Sequence, residues 1–226
     1  MVQLAEQLEL GLNALRRDAH KDDLSGTVRI SMSEGFLRPV IERLSELRRA
    51  HPALRFEIHS DSRLVDLARR EADIGLRIGR SPSPALIERL LGHSRLGLYA
   101  ATSYIDRRLH TPRLKIADLP RHDVIGWDEP LRGQPPMDWL ESRGAKNFVF
   151  RSNSAQAIVE ATVQGQGIAV LADSAIRGTQ GVVRLETDVE LPVVPVYIAY
   201  LKELRTVPRI RLVVESLIAA GKEGLR

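Results

Sequence analysis

The chain has 226 residues, too many for a minimal core and suited to one large or two small α/β units. Apolar residues make up 43% and charged residues 27%, and no run approaches the roughly 18 uninterrupted apolar residues of a membrane span. The net charge is +4 and cysteine is absent, which excludes disulfides, thiolate nucleophiles and cysteine-bound metals and makes a cytoplasmic setting the expected one.

Residues 1–21 read as one amphipathic helix. Met1, Ala5, Leu8, Leu12, Leu15 and Ala19 fall on a heptad seam. The seam suits pairing with a second copy or docking on the chain's own domain. The opening residues carry early acids and no apolar h-region, so they are not expected to be a signal peptide. Arg16-Arg17, Arg48-Arg49, Arg69-Arg70 and Arg107-Arg108 are scattered and lie near acids. Phosphate tracking needs a clustered basic face, so these residues are not expected to bind nucleic acid.

After the polar break Asp22-Asp23-Leu24-Ser25-Gly26 the period changes. Val28–Met32 predicts a strand, and Leu37, Val40, Ile41, Leu44 and Leu47 share one helical face. Pro39 is tolerated there only in the first turn, where its missing N–H costs nothing. Phe56–His59 predicts a strand and Leu64–Ala68 a helix capped by Asp61 or Ser62. Ile74–Ile78 is a third strand. Strand, helix, strand, helix, strand is the pattern of a parallel, doubly wound sheet.

Arg80–Pro84 is a turn cluster, and Leu96–Ala100 is a further strand followed by a short helix from Thr102 to near Leu109. Val124–Trp127 and Phe148–Phe150 predict strands flanking the loop 129–136 and a short helix over 137–143. Ser152-Asn153-Ser154 opens a helix whose C′ position is Gly165, followed by a strand at Ile168–Leu171. Val193–Leu201 and Pro208–Ala220 predict a last strand and helix that return to the first lobe. The expected division is therefore a linker or dimerisation helix at 1–22, a first lobe from 23–96 with 200–226, and a second lobe over 97–199. The fold class is α/β: two Rossmann-like lobes joined by two crossing strands, with a cleft between them and an N-terminal helix in front.

Several segments in order resemble the effector-binding domain of LysR-type transcriptional regulators. They are Ser25–Ile30, Arg49-Ala50-His51-Pro52, Leu67–Gly79, Leu98–Tyr104, Val124–Trp127 and Glu160–Leu171 with its Gly165-Gln166-Gly167-Ile168-Ala169 core. The resemblance implies a fold like type II periplasmic binding proteins, a small-molecule effector in the cleft, and a homo-oligomer, dimer or tetramer. It also identifies the seam in residues 1–21 with the end of the family's linker helix. The family's winged helix-turn-helix, which enters the major groove, has no counterpart here. DNA contact is expected only through such a missing N-terminal domain, and no membrane partner is expected.

In open α/β sheets ligands bind beyond the carboxyl ends of the strands, where helix N-termini offer free N–H groups. Ser33, Ser60, Thr102, Asn153 and Ser154 stand at such junctions, and the resemblance supports the first four most. Each also serves as a plain helix cap. Trp127 ends a strand and suits stacking on a ligand or burial in the core. Arg77 and Arg80 follow the third strand and suit an anion or a solvated pair. Glu34 beside Ser33 repels an acidic effector. It favours a polyhydroxy or cationic ligand, or caps a helix dipole, and Asp61 raises the same point. The effector-site candidates are thus Ser33, Glu34, Ser60, Arg77, Thr102, Trp127, Asn153 and Ser154.

No catalytic constellation stands out. There is no G-x-S-x-G elbow and no phosphate-binding G-x-x-x-x-G-K-[ST] loop. The six histidines show neither H-x-x-x-H nor H-E-x-x-H spacing, so no metal, cofactor or enzymatic activity is expected. Two alternatives stay open. One is a solute-binding protein of a transport system, which shares the two-lobed plan. The other is a natural short form acting through mixed dimers with a full-length regulator.

Overall fold

The computed structural model describes residues 24–60, 67, 71–80, 83–128 and 134–224. The expected seam over 1–21, most of the helix over 64–68 and much of the loop over 129–136 lie outside these residues.

Strand β1 (Gly26–Met32) leads through a 3-10 turn (Glu34–Phe36) into helix α1 (Leu37–Ala50). Strands β2 (Leu54–Ser60) and β3 (Ile74–Ile78) lie parallel to β1 on either side, as the alternating pattern requires. Asp73 reinforces the β1–β3 edge. Its carboxylate accepts from the Arg29 backbone N–H at 2.8 Å and from the Arg29 guanidinium at 3.2 Å, while its own N–H donates to the Arg29 carbonyl. Strand β11 (Val193–Leu201) then adds antiparallel to β3, pairing Val196–Tyr200 with Ile78–Ile74. This pairing sets Val196–Ala199, which the sequence groups with the second lobe, beside β3.

Val28, Ile30 and Met32 of β1 and Val196 and Ile198 of β11 bury one sheet face against α1 and helix α6 (Pro208–Gly224). From α1 come Val40, Leu44 and Leu47, and from α6 come Ile210, Val213, Val214 and Leu217. Pro39 sits in the first turn of α1, the one place in a helix where it removes no hydrogen bond.

The crossing strand is longer than its sequence suggests. Strand β4 runs from Leu86 to Ala101, 16 residues. Its first part, Leu86–Arg95, pairs with β11. Its second part pairs with strands β8 (Ile168–Ala172) and β9 (Val182–Arg184) of the second lobe. Residues 86–95 escape a strict alternation because the pairing register shifts between Val196 and Tyr197, which face Gly92 and Leu90 and leave Leu91 as an extra residue. The sheet order is β2-β1-β3-β11-β4-β8, with β9 on β4, and two further strands follow beyond β8 in the order β6-β7 over Val124–Trp127 and Phe148–Ser152. Strands β6 and β7 are parallel to one another, and β6 is parallel to β8.

Short helices α2 (Thr102–Tyr104) and α3 (Pro135–Ser142) and helix α4 (Ala155–Val163) cover this second sheet. Leu98, Val124, Leu140, Ile168 and Val170 form the core on one face. Tyr99, Ile125, Ile158 and Ala169 form it on the other. Gly165 ends α4 with φ +70, the left-handed C′ conformation expected of it. A four-residue helix α5 (Asp173–Ile176), unsignalled by periodicity, follows β8. Strands β5 (Arg113–Leu114) and β10 (Glu186–Thr187) form a separate two-stranded ladder.

Candidate functional site

The parallel strands β1, β2 and β3 end at one level. Met32 pairs with both Ser60 and Leu76, so Ser33, Ser60 and Arg77 occupy neighbouring carboxyl ends. Ser33 is extended and its hydroxyl caps nothing. Ser60 is exposed at the end of β2. Arg77 is half-buried, and a Cβ on Gly75 would stand 3.2 Å from its Nε, so its side chain folds back along β3. Arg80 pairs with Glu88 at 3.5 Å and lies over the Tyr197 ring.

The second lobe meets this edge with the start of α4. Trp127 and Ser152 are register partners at the carboxyl ends of β6 and β7, and Asn153 and Ser154 follow at once. Ser154 is the N-cap of α4, and its hydroxyl accepts from the Ala157 N–H at 3.2 Å. That hydroxyl donates across the cleft to Glu34 Oε2 at 2.8 Å. The Gln156 N–H donates to the same oxygen at 3.0 Å. A residue of the first lobe therefore satisfies one of the four free donors at the start of a second-lobe helix, and Ser154 satisfies another. Nearby, the Arg38 guanidinium donates to the Arg177 carbonyl just beyond α5, a second link between the lobes. Asn153 is exposed beside these contacts, and Trp127 is half-buried against the Tyr99–Ile158 cluster.

Thr102 is placed elsewhere. Strand β4 runs antiparallel to β8, pairing Leu96 with Ala172 and Tyr99 with Ala169, so its carboxyl end reaches the start of β8. Thr102 donates its N–H to the Gly181 carbonyl, and the neighbouring Ser103 hydroxyl lies against Gly165, past the last turn of α4. Ser154 begins that helix. The nine residues between them in α4, at 1.5 Å each, separate the two ends of that helix by roughly 14 Å. The structure thus brings Ser33, Glu34 and Ser154 together, with Asn153 adjoining and Trp127 and Ser152 one strand end away. It leaves Thr102 at the far end.

Residues 21–222 match the LysR substrate binding domain. The chain belongs to the LysR family. A LysR-type relative in Escherichia coli, the HTH-type regulator YhjC, is 26% identical over 164 residues, 68% of this chain and 53% of that protein. The regulatory domain of CrgA from Neisseria meningitidis superposes with TM-score 0.73 at 21% identity, covering 89% of this chain and 100% of that one. The regulatory domain of Synechocystis CcmR, solved in complex with 2-PG, gives 0.73 at 16% identity over 88% and 99% of the two chains. The fold is that of LysR regulatory domains, with the type II periplasmic-binding-protein plan. The chain spans about half, or less, of the length of the curated relatives it matches.

Within this LysR domain a side-chain network holds α5 in place. Tyr99 Oη donates to Asp173 Oδ1 at 2.8 Å, and Arg184 Nη1 donates to Asp173 Oδ2 at 2.6 Å. Arg184 Nη2 reaches the Leu96 carbonyl. Burial, then the Asp173 carboxylate, push the Tyr99 phenol well above its ordinary range, so it stays a neutral donor. The network ties β4, β9 and the start of α5 together, and α5 presents the Arg177 carbonyl to Arg38. A cavity of about 330 Å³ lies under that link, lined by Phe36, Arg38, Val40, Leu91, Arg177 and Leu217. Arg38, Gln156, Asp173 and Arg177 were not legible as site residues from the sequence. Gln156 acts through its backbone and Arg177 through its carbonyl, so residue type carries no signal for either.

Proposed function

We propose that this chain is the ligand-sensing part of a LysR-type transcriptional regulator, taking a small-molecule effector in the cleft between its lobes. The observation that carries the reading is the juxtaposition of the carboxyl ends of β1–β3 with the N-terminus of α4, made plain by the Glu34–Ser154 bond. Ser33, Ser60, Arg77, Trp127, Asn153 and Ser154 line the proposed site, with Glu34 at its centre. Thr102 is left out. The role is binding and not catalysis. The regulator works in the cytoplasm as a homo-oligomer, a dimer or tetramer, and reads DNA through a domain outside this chain. Residues 24–96 with the return from 193 form one lobe, and residues 97–192 form the other. An effector that favours one lobe arrangement shifts the population by its differential affinity, and so repositions the subunits.

The test is a thermal-shift screen of the chain against a metabolite panel, followed by calorimetry on each hit. A Ser33→Ala/Asn153→Ala double variant is expected to weaken the hit about five- to thirtyfold, the loss of one or two hydrogen bonds at about 1 kcal/mol each. A double variant that binds with unchanged affinity removes the assigned site.

A further inference from the structure

We infer that Glu34 is a built-in occupant of the anion position at the start of α4, and that it latches the two lobes shut without an effector. A helix N-terminus with a serine cap is a receptor for a carboxylate or phosphate. Here the chain's own carboxylate fills it. One oxygen, Oε2, takes both the Ser154 hydroxyl at 2.8 Å and the Gln156 N–H at 3.0 Å. The two donors belong to one lobe and the acceptor to the other. Ser33 positions the carboxylate: it is extended at φ −75, ψ 151 and starts the tight turn that projects Glu34 from the end of β1. The Arg38 link to Arg177 spans the same gap one helical turn further on.

The consequence concerns which ligand the cleft accepts. The inference rests on the cleft reading above for its regulatory meaning, while the latch itself stands on the bonds between the lobes. An acidic effector meets a filled site and must displace Glu34 before it reaches the α4 donors. A ligand that offers hydrogen-bond donors or a positive charge meets a ready acceptor and reinforces closure. Glu34 is therefore the specificity-determining residue of the cleft, selecting against simple carboxylates.

The test uses the absence of cysteine. Cysteines placed at exposed Arg49 and Lys146, one in each lobe, take spin labels at two defined points. The distance distribution is measured by pulsed electron resonance for wild type, Glu34→Ala and Glu34→Gln, each with and without sodium acetate, against a sodium chloride control of equal ionic strength. Wild type is expected to give one narrow distance that acetate leaves unchanged. Glu34→Ala is expected to shift and broaden it, and acetate, entering the vacated position without a tether to the first lobe, to raise the melting temperature of this variant without restoring the distance. Glu34→Gln keeps the side-chain shape but loses the charge and is expected to give a distance between the two, with no gain in melting temperature from acetate. It supplies the answer if the alanine variant does not fold.

A Glu34→Ala or Glu34→Gln distribution identical to wild type overturns the latch. Acetate raising the melting temperature of wild type and Glu34→Ala equally overturns the occupied anion position. An empty metabolite screen with a shifted distance in the Glu34 variants sinks the effector reading and keeps the latch, and the reverse result does the opposite.

Discussion

Glu34 and Ser154 cap one helix from opposite lobes, and neither role is intrinsic to the residue. A serine before a helix caps it locally in many proteins, and a glutamate after a strand is ordinarily a solvated charge. What converts them into a contact is that a single turn on one lobe and a helix start on the other lie 3 Å apart. His122 carries a second residue-scale consequence. Its ring lies 3.5 Å from the Tyr104 hydroxyl, and that hydroxyl accepts from the Asp123 N–H at 3.0 Å. Burial, helped by the Arg108 charge and opposed by Asp118 and Asp123, holds the imidazole below its ordinary value near 6.5. The unfolded chain therefore takes up its proton first as the pH falls. The stability due to the neutral ring is fully present above about pH 6.5 and declines as the pH drops from there towards the folded-state value. His122→Asn is expected to flatten this part of the profile. Melting curves between about pH 7.5 and about pH 5.5 check it, and equal slopes for variant and wild type count against the assignment.

At the scale of elements, the approach of β8 to β6 depends on Gly167. A Cβ there would stand 2.6 Å from the Asp123 carbonyl oxygen and 2.9 Å from its carbon. Those are backbone atoms of the segment that leads into β6, and the same oxygen accepts from the Ile168 N–H at 2.9 Å. The clash cannot be relieved by a side-chain rotation. Gly167→Ala is expected to cost about 1–3 kcal/mol, a fall of several degrees in melting temperature for a chain of this size. A variant melting within about a degree of wild type contradicts the close approach. This glycine was read from the sequence only as part of a motif. The contact that demands it comes from Asp123, far away along the chain, and leaves no mark in local periodicity.

For the whole molecule, the decisive element is β4. It lends its first part to the first-lobe sheet and its second part to the second, so the lobes share one continuous strand with no linker there. Leu96 and Leu98, just past the change of partners, are buried in the second-lobe core. Amide exchange along Arg95–Leu98 is therefore expected to be as slow as in the strand segments on either side. Exchange there as fast as in the surface turns would mean that the lobes are joined by a flexible hinge in this strand.

The sequence by itself determined most of the elements, because their signals are local. The β-branched and apolar runs over Ile74–Ile78 and Val193–Leu201, the helical stripe of α1 and the glycine at the end of α4 all depend on neighbours within a few positions. Local signals also placed Ser33, Ser60, Asn153 and Ser154 at strand ends and helix starts. Which strand ends share one side of the molecule is a different kind of fact, since it depends on strand direction and so on partners far away in the chain. Thr102 was expected in the cleft because it follows a strand. The antiparallel pairing of β4 with β8 carries it to the other end. Glu34 was legible as an obstacle to acidic ligands, or as the cap of some helix. Only the tertiary structure decided that the helix belongs to the opposite lobe, because a hydrogen bond between residues 34 and 154 requires two separately folded units to be brought face to face.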